Sequence, residues 1–530
     1  MLFTSYSFIL FVFIVFCLYY LLPPKWQWLV LLLASYVFYF FAGRTFLIYI
    51  LVTTVSTYYA AVGIQDKRQA FEEYFEANKK SLDKEAKKEL KEKNKKSLFH
   101  ILLACLVLNI GILAVVKYTN FMINNINGVM GLFGNKNTLS FVNFVLPMGI
   151  SFYTFQSVAY LLDVYHGKYE AQRHIGRFAL FIAFFPQLVQ GPISRYNDLS
   201  PSLYAEHRFD KNEICLGLER ILWGFFKKMV IADRILVAVK VLISDTETYD
   251  GVFVFVGMMF YALELYADFT GGIDITIGVA QIFGIKVAEN FQRPFFSKNI
   301  KEYWKRWHIS MGSWFTDYIF YPVSVSKPFR KLNKYARAHW GEHIGKRLPV
   351  YLSSFVVWLL TGIWHGASWN FIAWGLGNYV VIMISEELEP LYDWFHSRFK
   401  VEETVPWKFV QVIRTVLIMS CLRMFDCYRD VPLTFRMFGS MFTSWNMNRL
   451  SAQAFLGLGL TVADYVILIL STILLTAVSL MQRSRSVRAQ IRDLQFVRRM
   501  ILWWGLFIVI ILFGAYGIGY NESQFIYNQF

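Results

Sequence analysis

Residues 360–370 read Leu-Thr-Gly-Ile-Trp-His-Gly-Ala-Ser-Trp-Asn. His365 stands between two apolar runs, near 349–364 and 369–385, each close to the length of a membrane span. An ionisable side chain at membrane depth is costly, and is by default a functional candidate. A neutral imidazole is cheaper to bury than a carboxylate, and imidazole chemistry suits proton transfer near neutrality. Gly362, Gly366 and Ala367 leave room for backbone or substrate to approach. A histidine satisfied by a neighbouring helix is the plain alternative, and these residues alone leave both open.

The rest of the chain fits a membrane body. Of 530 residues, 56% are hydrophobic, 18% aromatic and 17% charged. Soluble domains carry about 25% charge, so a soluble enzyme is excluded, as is disorder. The five cysteines form no CxxC pair and read as small core residues. Further apolar stretches lie near 6–22, 27–42, 45–62, 99–116, 143–160, 177–190, 214–242, 251–267, 409–425, 455–481 and 501–519. The expectation is an all-α polytopic membrane protein, with 1–530 as one polytopic body. No charge precedes Lys25, so the first segment reads as a retained helix rather than a leader.

The net charge of +16 sits in short blocks. Residues 66–97 hold 11 basic and 8 acidic side chains, 323–348 hold 7 and 1, and 482–500 hold 6 and 1. This is the positive-inside pattern of cytoplasmic loops, not a nucleic-acid stripe. The 66–97 block is expected to be a cytoplasmic charged helical insert with i,i+4 pairs such as Glu76–Lys80, and 323–348 a basic loop. Residues 386–530 are expected to form a C-terminal transmembrane region.

The middle, 146–320, is hydrophobic yet rich in Pro, Gly, Asn, Asp, Arg and His. Such backbone is tolerated at membrane depth only when buried in protein or lining a wet cavity. Short, broken helices around an inner chamber are therefore expected. One cluster there is Tyr303-Trp-Lys-Arg-Trp-His-Ile-Ser310, followed by Trp314 and Asp317. An interfacial helix accounts for its Lys and Arg, but less well for His308. Another is Glu264 with Asp268 and Asp274. Pairing with Arg293 or Arg306 is the structural reading; an ion-coupling site would indicate a transporter. No GxSxG, Walker A or HExxH motif occurs. No metal site is expected, since His339 and His343 have no third ligand nearby.

At these clusters the chain resembles the membrane-bound O-acyltransferases, most closely the bacterial branch holding the alginate O-acetyltransferase membrane subunit. The resemblance runs through MLFTSYSFILF at the start, LPMGISFYTFQ at 146–156, FPQLVQGPI at 185–193 and YADFTGGIDITIG at 266–278. It continues through ENFQRPF at 289–295, EYWKRWHISMGSWFTDYIFYP at 302–322, TGIWHGASWNFIAWG at 361–375 and the closing FIYNQF. One departure is Val-Ser-Val-Ser-Lys-Pro after Tyr321–Pro322, where the branch usually has a Gly-rich stretch.

The resemblance implies a ring of transmembrane and re-entrant helices around a central funnel, with 146–385 as the catalytic core. It implies His365 and His308 as catalytic residues. Substrate-binding candidates are Asn370, Trp364, Trp307, Arg306, Asp317, Asp268, Asn290 and Gln156, with Trp369 helping to exclude water. No bound cofactor is implied; the donor is acetyl coenzyme A or another acyl thioester, attracted by the basic residues of 323–348. Acetyl transfer to a cell-surface polysaccharide follows, completed by an extracytoplasmic esterase-like partner, in a bacterial plasma membrane. D-Alanyl transfer to teichoic acids is the sister reading, and an ion-coupled transporter the reading from another class.

Overall fold

The computed structural model describes residues 3–134 and 138–516, which fold into helices joined by short connections, without a strand among them. Eight helices are long and apolar enough to cross a membrane, or nine if Trp369–Glu387 and Glu389–Phe399, bent by 48°, form one span. The all-α polytopic expectation therefore holds. The chain divides into two compact units, Met1–Ile214 with Val279–Ala288, and Cys215–Gly278 with Glu289–Phe530.

In the first unit Ser5 caps the helix Tyr6–Leu21, and Pro23 and Pro24 end it before Gln27–Ala42 begins. The two longest helices, Phe46–Asn78 and Lys84–Leu132, absorb the charged 66–97 block. That block is helical but is no separate insert: it is the outward continuation of both spans, turning between Asn78 and Asp83. Asp83 starts the second helix by accepting a hydrogen bond from the Ala86 N–H. Glu76 pairs with Lys79 at 2.9 Å rather than with Lys80.

The 146–320 stretch expected to be broken is broken only in part, for Val252–Ile282 within it is one continuous helix of 31 residues. Ile175–Ala183, Phe185–Leu188 and Tyr196–Leu203 are short helices, and 190–195 between them are non-helical yet mostly buried, with Gln190 at 0% exposure. Phe184 leaves helical backbone just before Pro186, and the freed Phe185 N–H donates to Ser35 Oγ at 3.1 Å. Such backbone survives in an apolar setting because protein groups satisfy it.

In the second unit the 215–225 and 252–278 helical segments meet through glycines. A Cβ on Gly224 would lie 2.6 Å from the Gly271 carbonyl oxygen, and one on Gly278 2.7 Å from that of Gly217. Only hydrogen at these positions lets the backbones touch. The close approach carries buried ion pairs. Lys228 binds Asp268 at 2.6 Å and Asp233 at 2.8 Å; Lys227 binds Asp274 at 2.6 Å; Arg220 binds Asp274 at 2.8 Å and Glu289 at 2.5 Å. Arg293 and Arg306, expected as the partners, are replaced by lysines and an arginine from 220–228. Those cations occupy the next segment to pack on the 252–278 face, whereas Arg306 turns back to Glu302 at 2.6 Å.

The basic 323–348 stretch is not a loop. It forms the first half of the helix Lys327–His365, which is interrupted at Gly341 with φ 84°. That conformation is open to glycine at no steric cost.

Candidate active site

His308 is fixed by backbone. It sits between the helices Ile300–Arg306 and Ile309–Phe315 with φ 50° and ψ 53°, a left-handed conformation that is unfavourable for a residue with a Cβ. The neighbouring chain holds it there. Phe291 and Trp307 form an antiparallel bridge, Gln292 N–H donates to the Arg306 carbonyl at 2.9 Å, and Ile309 N–H donates to the Asn290 carbonyl at 3.0 Å. Asn290 Oδ1 accepts from both the Ser310 N–H at 3.0 Å and the Ser310 hydroxyl at 2.9 Å. Asn290 thus clamps the turn that presents His308.

His308 has 0% exposure, with Phe269 edge-on at 5.1 Å and Trp364 at 6.1 Å. It lies between the spans. Burial, reinforced by the positive Arg423 guanidinium, pulls its pKa from 6.5 down to about 3, so the ring is neutral at physiological pH.

His365 ends the helix Lys327–His365, and Trp369 begins the next one. Gly362 and Gly375 let these two helices close: a Cβ on Gly362 would meet the Phe371 carbonyl oxygen at 2.6 Å, and one on Gly375 the Trp358 carbonyl oxygen at 2.5 Å. The small residues thus admit the adjoining helix. The His365 ring is buried, edge-on to Trp374 at 4.6 Å and to Trp364 at 5.1 Å. Trp364 therefore touches both imidazoles.

The other candidates divide. Trp364 and Trp307 are buried beside the histidines. Asn370 is also buried, but both ends of its amide are engaged: Nδ2 donates to the Phe425 carbonyl at 3.1 Å, and Oδ1 accepts from the Ser368 hydroxyl. Asp268 is held by Lys228 and Arg306 by Glu302. Asp317 lies exposed on the π-helical turn Thr316–Phe320. Gln156 belongs to the first unit, where Nε2 donates to the Phe181 carbonyl at 3.0 Å. Trp369 is 58% exposed, whereas Trp304 and Trp374 pack edge to face at 5.8 Å.

The sequence reading missed Arg423. It lies in the apolar helix Val405–Tyr428, only 6% exposed, with its Cζ 4.9 Å from the Trp307 ring centre, 5.1 Å from Trp374 and 5.7 Å from Trp304. Arginine at two places inside the apolar 409–425 run, Arg414 and Arg423, was the available signal. A cavity of about 740 Å³ also opens in this unit, lined by Arg220, Lys227, Arg293, Arg306, Arg488 and Tyr266 among others. Tyr266 reaches from its wall to Trp307, with ring centres 6.4 Å apart.

Eight candidate spans make this a polytopic membrane protein, and its sequence gives the class a family. The chain belongs to the membrane-bound O-acyltransferase family, whose profile, MBOAT, matches residues 173–338. It is an acyltransferase. It is 30% identical over 444 residues to the probable alginate O-acetylase AlgI of Azotobacter vinelandii, covering 82% of this chain and 77% of the relative. It is 28% identical over 328 residues to the peptidoglycan O-acetyltransferase of Helicobacter pylori, covering 57% of this chain and 58% of that one. The teichoic acid D-alanyltransferase of Bacillus subtilis is 30% identical over 266 residues, 48% of this chain and 63% of its own.

Proposed function

We propose that this acyltransferase moves an acetyl group from an acyl thioester at the cytoplasmic face to a hydroxyl group serving polysaccharide O-acetylation on the other side. The observation that carries the reading is the pairing of two buried imidazoles around Trp364 in one unit. The alginate and peptidoglycan acetylases among the relatives support acetyl as the group transferred. A central passage linking the two faces is part of the proposal, and the broken helices of 300–324 are its candidate wall.

In this mechanism His365 takes the proton of the acceptor hydroxyl as its oxygen attacks the thioester carbonyl, a contribution of about 10²–10⁴-fold. The tetrahedral intermediate collapses, the C–S bond breaks, and the leaving thiolate receives the proton from His365. His308, kept neutral by burial, orients the reacting groups as a hydrogen-bonding partner. Trp364 and Trp307, with Trp304 and Trp374, keep water from the thioester. Arg293 and Arg488 in the wall of the 740 Å³ cavity, which also holds the Arg220 and Lys227 ion pairs with Asp274 and Glu289, are proposed as contacts for the donor's phosphates in place of 323–348.

An extracytoplasmic acyltransferase or esterase-like protein is the proposed partner that completes transfer to the polysaccharide. The C-terminal tail, its candidate contact, lies outside the described residues. The D-alanyl reading is favoured by the Bacillus subtilis relative and keeps the same histidines. The transporter reading is weakened, because Asp268 and Asp274 are already engaged by Lys228, Lys227 and Arg220. The test is transfer of labelled acetyl from acetyl coenzyme A to a soluble hydroxyl acceptor by purified protein in nanodiscs. His365→Ala should abolish it with folding intact; undiminished transfer by that variant rejects the assignment.

A further inference from the structure

We propose that Arg423 is a catalytic residue of the transfer reaction: its guanidinium N–H groups hold the thioester carbonyl oxygen as it becomes the oxyanion of the tetrahedral intermediate. The inference rests on the acyl-transfer reading and adds to it a residue that neither the motifs nor the relatives single out.

Three observations carry it. The first is cost. Arg423 is 94% buried in an apolar helix, and an arginine there is expensive unless it is compensated. Yet no carboxylate lies within 4 Å of it among the described residues. Asp426, the nearest acid along the helix, feels the positive charge of Arg423 and faces the Tyr261 hydroxyl, but makes no ion pair with the guanidinium within 4 Å. Arg423 Nε and Nη2 are buried with no hydrogen-bond partner. A buried donor left unmade costs about 1–3 kcal/mol, and more on a charged group. Such a group in a native structure calls for an explanation, a catalytic role or a bound water or ion among them.

The second is how the cation is held. Trp307, Trp374 and Trp304 approach its Cζ at 4.9, 5.1 and 5.7 Å. Contacts with ring faces stabilise the charge through the aromatic quadrupole and accept no N–H. The tryptophans thus fix the guanidinium while leaving donors of its planar fork for an oxygen. That fork is suited to two parallel hydrogen bonds to one anionic group.

The third is place. Trp374 also lies edge-on to His365 at 4.6 Å, and Trp307 is the residue before His308. The positive charge of Arg423 is felt at the His308 ring. Arg423 therefore stands with both imidazoles on one set of tryptophans. When the acceptor oxygen bonds to the carbonyl carbon, the C=O π pair moves to oxygen, and two N–H groups preorganised in a low-dielectric site stabilise it there. Collapse returns the pair to the C=O bond as the C–S bond breaks.

The experiment uses the full chain in nanodiscs with acetyl coenzyme A and a soluble hydroxyl acceptor, and reads kcat, donor KM and melting temperature. Arg423→Met is expected to lower kcat on the order of 10²–10³-fold, the loss typical of a missing oxyanion donor, with donor KM and melting close to wild type. Arg423→Lys keeps a cation over the rings but not the planar fork, and is expected to fall at least about tenfold in kcat. Millimolar methylguanidinium should restore part of the Arg423→Met rate. Wild-type kcat in either folded variant overturns the proposal. So does a kcat loss matched by lost melting stability and unresponsive to methylguanidinium, which assigns Arg423 to packing alone. If Arg423→Met fails to fold, Arg423→Lys decides by the same kcat criterion. An inactive wild-type chain would reject the acyl-transfer reading itself, a distinct outcome.

Discussion

His308 and His365 are both buried histidines, yet their surroundings differ. His308 is locked by the left-handed backbone and by the Asn290 clamp on Ser310. With a folded pKa of about 3 against 6.5 unfolded, it binds its proton mainly in the unfolded chain. Its neutral burial favours folding fully above pH 6.5, and that contribution is lost as pH falls from 6.5 towards 3. Melting measured at pH 7.5 and pH 4.5 should therefore drop more for wild type than for His308→Gln. An equal drop would contradict the burial account. At Asn290, changing the side chain to Ala removes the acceptor of two buried hydrogen bonds, each worth about 0.5–1.5 kcal/mol net. Asn290→Ala should lower both melting temperature and kcat; full activity would show that His308 needs no clamp.

At the scale of elements, close helix contacts depend on absent side chains. Gly375 faces the Trp358 carbonyl, and its helix also carries Trp374. Gly375→Val would force the helices apart at a cost of about 1–3 kcal/mol. The expected result is lower melting and weaker transfer without any change to a reacting group; unaltered melting would reject the contact. The sequence shows why some of this was legible and some was not. His365 declares itself locally, as a polar residue between two apolar runs. The broken backbone of 175–203 is likewise written in Pro186 and Pro192. The partners of Asp268 and Asp274 are not local: Lys228 lies forty positions away, and a glycine-mediated contact selects it over the nearer Arg293. Arg423 is hidden for the same reason, since its meaning depends on 304–307, 374 and 423 coming together. The charged blocks 66–97 and 323–348 were read as loops or inserts because hydropathy marks where apolar character ends, not where a helix ends.

Over the whole molecule, charge and apolarity are segregated. The excess of +16 is concentrated in a few blocks flanking the spans, of which 482–500 contributes Arg488 to the cavity wall beside Arg220, Arg293 and Arg306. If that cavity receives the donor's phosphates, Arg293→Glu combined with Arg488→Glu should raise donor KM by about tenfold or more while leaving kcat within a few-fold. The KM of the wild type should itself rise with salt, as screening shortens the reach of the cations. An unchanged KM in the double variant would place the donor elsewhere.

The most direct test is chemical. Surface esters are released by mild alkali from cells carrying wild-type or His365→Ala protein, at equal membrane expression. The account predicts that the wild-type cells yield acetate and that the variant cells lose it. Equal acetate from both would contradict the central claim that a buried His365 drives acetyl transfer; loss of D-alanine instead would keep the histidine and move the acyl group to the sister chemistry.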